Sequence, residues 1–464
     1  MKKGDLLELE IVSSGMNGEG VAKIDGQVIF VPLTLVGEIV KVEIVEVKKN
    51  FARAKVVKII SPSSNRIKPL CPVFFKCGGC EMQHINYQTQ LSIKKQNIYD
   101  CIKKQCAIEC AVNDVISAED CFGYRNKIQV PIQWQGDKVV AGYYKPSSHI
   151  IVPFGQEKIG EYGNCPLHNF VMQDIIDIFC SFVQDNKITT YSESWHKGLI
   201  RHLVIRKVGQ SSAIVIVING RSLPCANKLI DAFIKYGLSF SLFLSHNIKR
   251  TNVIMSNDLT LLYGQERLNG EVLGVKFQVS PLSFMQINDC VRDLIYNKVN
   301  DIISATPNSV VIDAYSGIGI LSNVMAKSAK KVVAIEIVEE AIQDANHLAH
   351  INNNKNKISN ICGDSAVEVP RILEQELLES HNNLTNSNII VVLDPPRKGC
   401  DANVINAILH AKPNQIIYIS CNPATLARDL EMLLVDYTID FVQPYDMFPQ
   451  TGHVETLICL SKKS

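Results

Sequence analysis

Cys421 has the sequence context of a nucleophile at the edge of a sheet. It comes just after the apolar run QIIYI, which predicts a buried strand, and it precedes Asn-Pro and a helix-like segment. Asp394, in VVLDPPRKG, also comes directly after an apolar run. Open α/β sheets bind ligands at the carboxyl ends of their strands, so we predict that both residues face one site. The alternatives are a packed core thiol for Cys421 and a helix-capping acid for Asp394.

Glu455, in TGHVETLICL, is the candidate base of the same site. Its run is typical of a late strand that returns to the sheet; a solvated strand acid is the alternative, and His453 is a second candidate base. This residue set suits methylation of uracil at carbon 5, which is a poor nucleophile. Addition of a thiolate at carbon 6 gives an enolate that accepts a methyl group from a sulfonium. A base then removes the proton at carbon 5, and the thiolate leaves.

A glycine turn upstream predicts the cofactor site. VVIDAYSGIGIL reads as a strand, a turn and a helix start, and Gly317 lets a ligand approach the backbone closely. Glu336 ends the next strand, where an acid binds both ribose hydroxyls. Asp364, in CGDS after a third strand, would accept the adenine amino group. The third glycine of the dinucleotide fingerprint is absent, which favours S-adenosylmethionine. Turn or cap roles remain the alternative for the acids.

A cysteine cluster predicts a metal site. Cys71, Cys77 and Cys80 lie in CPVFFKCGGCEMQH with the spacing C-x5-C-x2-C, which gathers soft ligands at small entropic cost. This spacing is compatible with zinc and with iron–sulfur. Cys165, in GNCPLHN, is the candidate fourth ligand. The rival cysteines that lie nearby are Cys101, Cys106, Cys110 and Cys121.

Three regions must position these residues. Short β-rich runs separated by turns predict a small barrel of the oligonucleotide-binding kind over residues 1–61, followed by a Ser/Pro-rich linker. Residues 62–280 mix strands with helices, including a helix at 87–105, and predict an α+β domain. Apolar runs alternate with helical stretches in residues 281–464, which predicts a parallel α/β, Rossmann-like domain. The polar stretch ESHNNLTNSN is predicted to be a loop within it.

Composition restricts the class of protein. The 464 residues are 46% hydrophobic and 20% charged, and no uninterrupted apolar run reaches membrane-spanning length, so we expect a cytoplasmic protein without membrane contact. Fifteen cysteines in that compartment indicate metal or thiol chemistry rather than disulfides. From Lys48 to Lys104 the sequence has twelve Lys or Arg and two acids. This basic segment predicts a face that binds a polyanion, with a solvated charged surface as the alternative.

Several motifs together resemble those of a known family. SFMQIN, DAYSGIGIL, DPPRKG, ISCNPATLARDL and HVETL occur in this order and resemble the RNA uracil-5-methyltransferase family, which makes 5-methyluridine. The likeness extends upstream through LIRHLVIR, GYRNKIQVP and the cysteine motif to the N-terminal β unit, which is similar to the family's RNA-binding TRAM domain. The resemblance covers nearly the whole chain.

The resemblance implies specific roles. Cys421 would be the nucleophile, Glu455 the base, and Cys165 the fourth ligand of a [4Fe–4S] cluster. S-adenosylmethionine would be contacted by Gln286, Tyr315, Glu336 and Asp394. DAYSGIG is similar to the Gram-positive ribosomal branch, which implies 23S ribosomal RNA as the substrate and a monomer as the working form. Transfer RNA methylation, amino-group methylation and a non-catalytic RNA-binding iron–sulfur protein are the alternatives.

Overall fold

The structure, a computed structural model, describes residues 1–155, 157–382 and 388–463. The chain forms two compact bodies. The first contains Met1–Leu70, Cys80–Cys121 and Leu393–Ser464, and the second contains Cys71–Gly79 and Phe122–Val392. Each body therefore combines segments that are distant in the sequence.

The N-terminal region forms a six-stranded sheet with the order β1-β5-β6-β4-β3-β2. Val40, Val42 and Ile44 alternate inward along one strand, whereas Lys41 is exposed, so one face of the sheet builds a core. The predicted small β unit is confirmed, with one additional two-residue strand. The strands are β1 Leu6–Glu10, β2 Ser13–Ser14, β3 Gly20–Ile24, β4 Gln27–Val31, β5 Ile39–Val47 and β6 Phe51–Ser61.

Helix α1, Tyr87–Cys106, confirms the helix predicted at 87–105. It begins at Asn86, whose side chain accepts a hydrogen bond from the Thr89 amide at 2.9 Å. The apolar positions Leu91, Ile98 and Ile102 are buried, as their helical spacing predicts.

The central region is a seven-stranded sheet in the second body, with the order β13-β12-β11-β10-β7-β8-β9. Its helices cover one face, and their apolar residues form a core with alternate strand positions such as Leu203 and Ile205. The elements are β7 Lys127–Gln135, β8 Lys138–Tyr144, β9 Ile151–Pro153, α2 Phe170–Asp185, β10 Ile200–Val208, β11 Ser211–Ile218, α3 Ala226–Tyr236, β12 Phe240–His246 and β13 Leu259–Tyr263. A separate hairpin follows, with β14 Leu268–Val272 and β15 Val275–Val279.

The C-terminal region alternates strands with helices, as predicted. Its elements are α4 Asp289–Ser304, β16 Ser309–Asp313, α5 Ile320–Met325, β17 Lys331–Glu336, α6 Glu339–Ile351, β18 Ile358–Cys362, α7 Ser365–Asn382, β19 Asn388–Leu393, α8 Ala402–Ala411, β20 Gln415–Ser420, α9 Pro423–Leu433, β21 Tyr437–Tyr445 and β22 Glu455–Lys462. In the second body, β18, β17, β16 and β19 pair in parallel in that order. In the first body, β20, β22 and β21 pair antiparallel in that order.

The predicted loop ESHNNLTNSN is helical up to Asn382, and residues 383–387 within it lie outside the described residues. Across the described ranges, no helix combines the length and apolarity that crossing a bilayer requires.

A buried ion pair joins two segments of the first body that are far apart in the sequence. Lys94 on α1 donates from Nζ to Asp446 at 2.6 Å and to the Phe448 carbonyl at 3.1 Å, and Tyr87 donates to Asp446 at 2.8 Å. Lys94 and Asp446 are both 0% exposed. The pair therefore anchors α1 to the segment that precedes β22.

We predict that Lys94→Met destabilises the protein by about 3–5 kcal/mol, because it leaves the Asp446 charge buried without its cation. Thermal and urea unfolding measure the change. Lys95→Met is the matched control, since Lys95 pairs with Asp114 in solvent and its loss should change stability little. Equal unfolding midpoints for the two variants would contradict a structural role for the buried pair.

Candidate active site and cofactor loop

The pairing of β20 with β22 brings Cys421 and Glu455 together. Ser420 is paired with Thr456 across the two antiparallel strands, so the next position of one strand lies beside the preceding position of the other. Glu455 is 2% exposed and Cys421 is half-buried. The thiol and the carboxyl that the sequence placed in one site are therefore neighbours at one edge of the sheet.

The loop that carries Cys421 is held by its own polar groups. The Ser420 hydroxyl accepts a hydrogen bond from the Asn422 amide at 3.1 Å, and the Asn422 side chain accepts one from the Ala424 amide at 3.1 Å. Pro423 then opens α9, where its missing N–H costs nothing. A strand end, a capping Asn and a helix-starting Pro thus fix the backbone on either side of the thiol.

The DPPRKG loop is tied to the cysteine loop through a backbone carbonyl. Asn422 donates from Nδ2 to the Arg397 carbonyl at 3.1 Å, and the Thr425 hydroxyl donates to the same oxygen at 3.3 Å. The Arg397 side chain is exposed, and Asp394 in the same loop is half-buried. The two loops are therefore joined without engaging the guanidinium.

Asp429 on α9, to which no motif in the sequence points, completes this arrangement. Its carboxylate, 1% exposed, accepts hydrogen bonds from the Tyr418 hydroxyl at 2.7 Å, the Cys400 amide at 2.9 Å and Arg428 Nε at 2.8 Å. Gly399 has φ +80°, and a Cβ there would lie 2.5 Å from the Arg428 guanidinium. A buried acid inside a helix has no periodic signal that separates it from a solvated one, so only the fold identifies its partners.

The charged groups around Cys421 have opposite effects on the pKa of its thiol. Burial raises the pKa of Cys421, the acids Glu455 and Asp394 raise it further, and Arg397 lowers it. Burial also raises the pKa of Glu455 well above its ordinary value; Asp394 adds to this rise and Arg397 opposes it. A carboxyl whose pKa is moved toward neutral is suited to accept a proton during a reaction. His453, the second candidate base, is exposed and lies edge-on to Phe448.

The predicted cofactor turn, in the second body, is pinned to the end of β17. Gly317 has φ +54°, no atom lies within 4 Å of the position its Cβ would take, and its amide donates to Glu336 Oε2 at 3.0 Å. The Val338 amide donates to the other Glu336 oxygen at 2.9 Å. Open space above a glycine backbone beside a strand-end carboxylate fits an adenosyl cofactor.

Asp313 and Asp364 stabilise the backbone near this turn. Asp313 is buried and accepts a hydrogen bond from Ser322 at 2.6 Å, while its burial and the nearby Glu336 raise its pKa to about 6. Asp364 is exposed and accepts a hydrogen bond from the Ala366 amide at 2.9 Å at the start of α7. For Asp364 the structure thus displays the capping role that was the alternative to adenine binding.

Tyr315 and Gln286 are both half-buried. The Gln286 carbonyl accepts a hydrogen bond from Asn126 Nδ2 at 2.8 Å, and the same amide nitrogen lies 2.7 Å from the Asp289 carboxylate. This ties the SFMQIN segment to the start of β7 and orders its backbone.

The four cysteines predicted to bind a cluster divide between buried and half-buried positions. Cys71 and Cys165 are buried, and Cys77 and Cys80 are half-buried. Burial raises the pKa of Cys71, with a smaller contribution from Cys77. Within the part of the chain that the structure describes, no group of three or more His, Cys, Asp or Glu side chains is arranged to hold a metal ion. The structure therefore does not support the predicted [4Fe–4S] site.

We predict that Arg397→Gln slows alkylation of Cys421 by iodoacetamide severalfold at neutral pH. Arg397 lowers the pKa of the thiol, so its loss raises that pKa, reduces the thiolate fraction at a fixed pH and moves the rate profile to higher pH. Peptide-resolved mass spectrometry measures the rate at Cys421 alone. Lys398→Gln removes an equal charge from the same loop as the control, and equal slowing in both variants would refute a specific effect of Arg397.

Comparisons with known proteins agree with this geometry. The family described as tRNA (Uracil-5-)-methyltransferase matches residues 227–463, and the TRAM domain matches residues 2–57. An uncharacterized RNA methyltransferase of Caldanaerobacter subterraneus is 38% identical over 100% of this chain and 99% of its own length. One of Clostridium tetani is 36% identical over 99% of this chain and 97% of its own length.

A solved structure has the same fold. It is the crystal structure of Pyrococcus abyssi tRNA (uracil-54, C5)-methyltransferase in complex with S-adenosyl-L-homocysteine, with a TM-score of 0.76 and 24% identity over 98% of this chain and 100% of that chain. The expected Rossmann-like methyltransferase fold with an N-terminal TRAM domain is thereby confirmed. The chain belongs to the tRNA (uracil-5-)-methyltransferase family and is an S-adenosylmethionine-dependent RNA methyltransferase that acts on carbon 5 of uracil.

Proposed function

We propose that the enzyme methylates a uridine of 23S ribosomal RNA through a covalent bond between Cys421 and carbon 6 of the base. The observation that carries this mechanism is the buried Glu455 beside Cys421 at the paired ends of β20 and β22. A thiol alone is often a core residue, whereas a thiol next to a carboxyl of raised pKa supplies both groups that the reaction needs.

In this mechanism the Cys421 thiolate adds to carbon 6 of a uridine that has left its stack, and the electron pair of the carbon 5–carbon 6 double bond moves into an enolate. Bound S-adenosylmethionine would supply an electrophilic methyl group to carbon 5, and breaking its sulfur–methyl bond would release the neutral thioether S-adenosylhomocysteine. Glu455 removes the proton from carbon 5, and the returning electron pair expels the thiolate. Arg397 is the cation that favours the thiolate before attack.

We assign the cofactor contacts to the residues that the family resemblance and the turn geometry select. These are Gln286, Tyr315, Gly317, Glu336, Asp364 and Asp394. The hydrogen bonds of Glu336 support a contact with ribose. Each of its two carboxylate oxygens already accepts one backbone hydrogen bond, which fixes the carboxylate in place. A carboxylate offers about four acceptor positions, so two remain for ribose hydroxyls.

Ribosomal rather than transfer RNA is supported by the resemblance of DAYSGIG to the ribosomal branch of the family, whereas the basic segment from Lys48 to Lys104 supports RNA binding in general. We further propose a monomeric, cytoplasmic enzyme with three functional regions: a TRAM domain over 1–61, a central domain over 62–280 and a catalytic domain over 281–464. The sequence composition and the family resemblance support these assignments.

The proposed function predicts a trapped complex on RNA containing 5-fluorouridine, because fluorine at carbon 5 cannot leave as a proton. The adduct should survive denaturing electrophoresis and be lost in Cys421→Ala. Glu455→Gln should accumulate the methylated adduct on ordinary uridine RNA, since proton removal is slowed. Mapping 5-methyluridine in ribosomal and transfer RNA from a strain without the protein identifies the substrate.

Normal turnover by Cys421→Ala would exclude the covalent mechanism. A 5-methyluridine lost from transfer RNA alone would exclude 23S ribosomal RNA as the substrate while leaving the chemistry intact. Methylation of an exocyclic amine, detected by nucleoside mass spectrometry, would exclude both.

We also propose that Cys71, Cys77, Cys80 and Cys165 hold a [4Fe–4S] cluster in the protein made in cells, supported by the C-x5-C-x2-C motif and the family resemblance. Anaerobically purified protein should contain about four iron and four acid-labile sulfide atoms. Cys77→Ser should lose them, and Cys110→Ser, a change of a cysteine outside the set, should not. Stoichiometric zinc, or no metal, would overturn the assignment.

A further inference from the structure

Two cations lie directly opposite each other in the central sheet of the second body. Arg206 on β10 is paired with Lys127 on β7, and on its other side with Ala213 on β11. Side chains of directly opposed residues project to the same face of a sheet. Arg206 is 4% exposed. In the alternation of β10 it shares a face with Val204 and Val208, which belong to one apolar core.

Neither cation has a partner among the described residues. Arg206 Nε and Nη1 are buried without a hydrogen-bond partner, and no acid forms an ion pair with either side chain in that part of the chain. Burial lowers the pKa of Arg206 to about 10, and burial together with Arg206 lowers the pKa of Lys127 to about 8. The surroundings therefore oppose both positive charges.

Arg201, on the same strand and equally buried, is compensated. Its guanidinium donates to the Asn247 carbonyl at 3.0 Å and the Lys249 carbonyl at 2.9 Å, and it pairs with Glu193 at 3.3 Å. The ring of Tyr191 lies 4.3 Å from the guanidinium carbon. Only Nε of Arg201 is buried without a hydrogen-bond partner, and both terminal nitrogens of its guanidinium are paired, whereas Arg206 and Lys127 have neither a hydrogen-bonded carbonyl nor an acid beside them among the described residues.

A bound anion would compensate the positive charges of Arg206 and Lys127. Like charges on opposed positions destabilise a sheet, and a buried charge without a partner is costly, whereas a bound oxyanion would accept hydrogen bonds from both side chains. We propose that Arg206 and Lys127 form a binding site for a phosphate of the substrate RNA, an inference that rests on the RNA methyltransferase activity.

The charge of the two available ligands favours phosphate. S-adenosylmethionine has a carboxylate, but its ammonium and sulfonium groups make the molecule a net cation, which a site with two positive charges repels. RNA presents a phosphate at every nucleotide and no positive charge. A fixed phosphate contact would set the position of the strand without reading its sequence.

The test compares Arg206→Met and Lys127→Met with Arg201→Met in the full-length protein. The probe is an unmodified fragment of large-subunit ribosomal RNA, with its affinity measured over a series of salt concentrations. Each of the first two variants should bind RNA about tenfold more weakly at low salt, and its logarithmic salt slope should fall by about one. Their melting temperatures should stay the same or rise, because an uncompensated charge is removed.

Arg201→Met should behave in the opposite way, with a lower melting temperature and an unchanged salt slope, because its charge is already paired. Arg206→Lys should retain part of the affinity. An unchanged slope in Arg206→Met would overturn the site, and so would weaker S-adenosylmethionine binding with RNA affinity intact, measured by calorimetry. If wild-type protein traps 5-fluorouridine RNA but Arg206→Met has the wild-type salt slope for RNA binding, this inference fails and the proposed function stands. If wild-type protein does not trap that RNA, the proposed function itself fails.

Discussion

Main-chain pairing between β20 and β22 determines where the proposed nucleophile and base lie. Because Ser420 is paired with Thr456, Cys421 and Glu455 are held beside each other by backbone hydrogen bonds rather than by the conformations of long side chains. The same pairing buries Glu455 near Asp394, which raises its pKa toward the range where a carboxyl can accept a proton. Placement and reactivity therefore have one structural origin.

The loops around these strand ends are fixed by polar groups that avoid the reactive atoms. Asn422 and Thr425 bind the Arg397 carbonyl, so the guanidinium remains exposed while its backbone is held. Asp429 accepts hydrogen bonds from Tyr418 and Cys400, which locks the DPPRKG loop from beneath. Rigid support behind a free functional group lowers the cost of reaching the reactive geometry.

Buried charges in this protein fall into two classes. Glu38 accepts two hydrogen bonds from Arg66 at 2.6 and 2.7 Å, and its pKa is lowered. Lys94 and Asp446 are likewise matched in the interior. The buried Arg206 and the half-buried Lys127 lack such compensation, and stable folds keep unpaired buried charges mainly where a ligand completes them. The phosphate site that we propose would account for this contrast between matched and unmatched cations.

Local patterns in the sequence determined the elements and much of the chemistry. Apolar runs marked the buried strands, Asn-Pro marked the start of α9 after Cys421, and Ser-Gly-Ile-Gly marked the glycine turn that we propose as the cofactor site. These features depend on neighbours within a few residues, whose preferences are written in the residue types themselves. The tertiary structure alone decided that Lys94 meets Asp446, 352 positions away, that Asp429 supports the DPPRKG loop, and that Arg206 faces Lys127. Such pairs depend on strand register and helix packing, and a single residue's type and local spacing do not specify its distant partner.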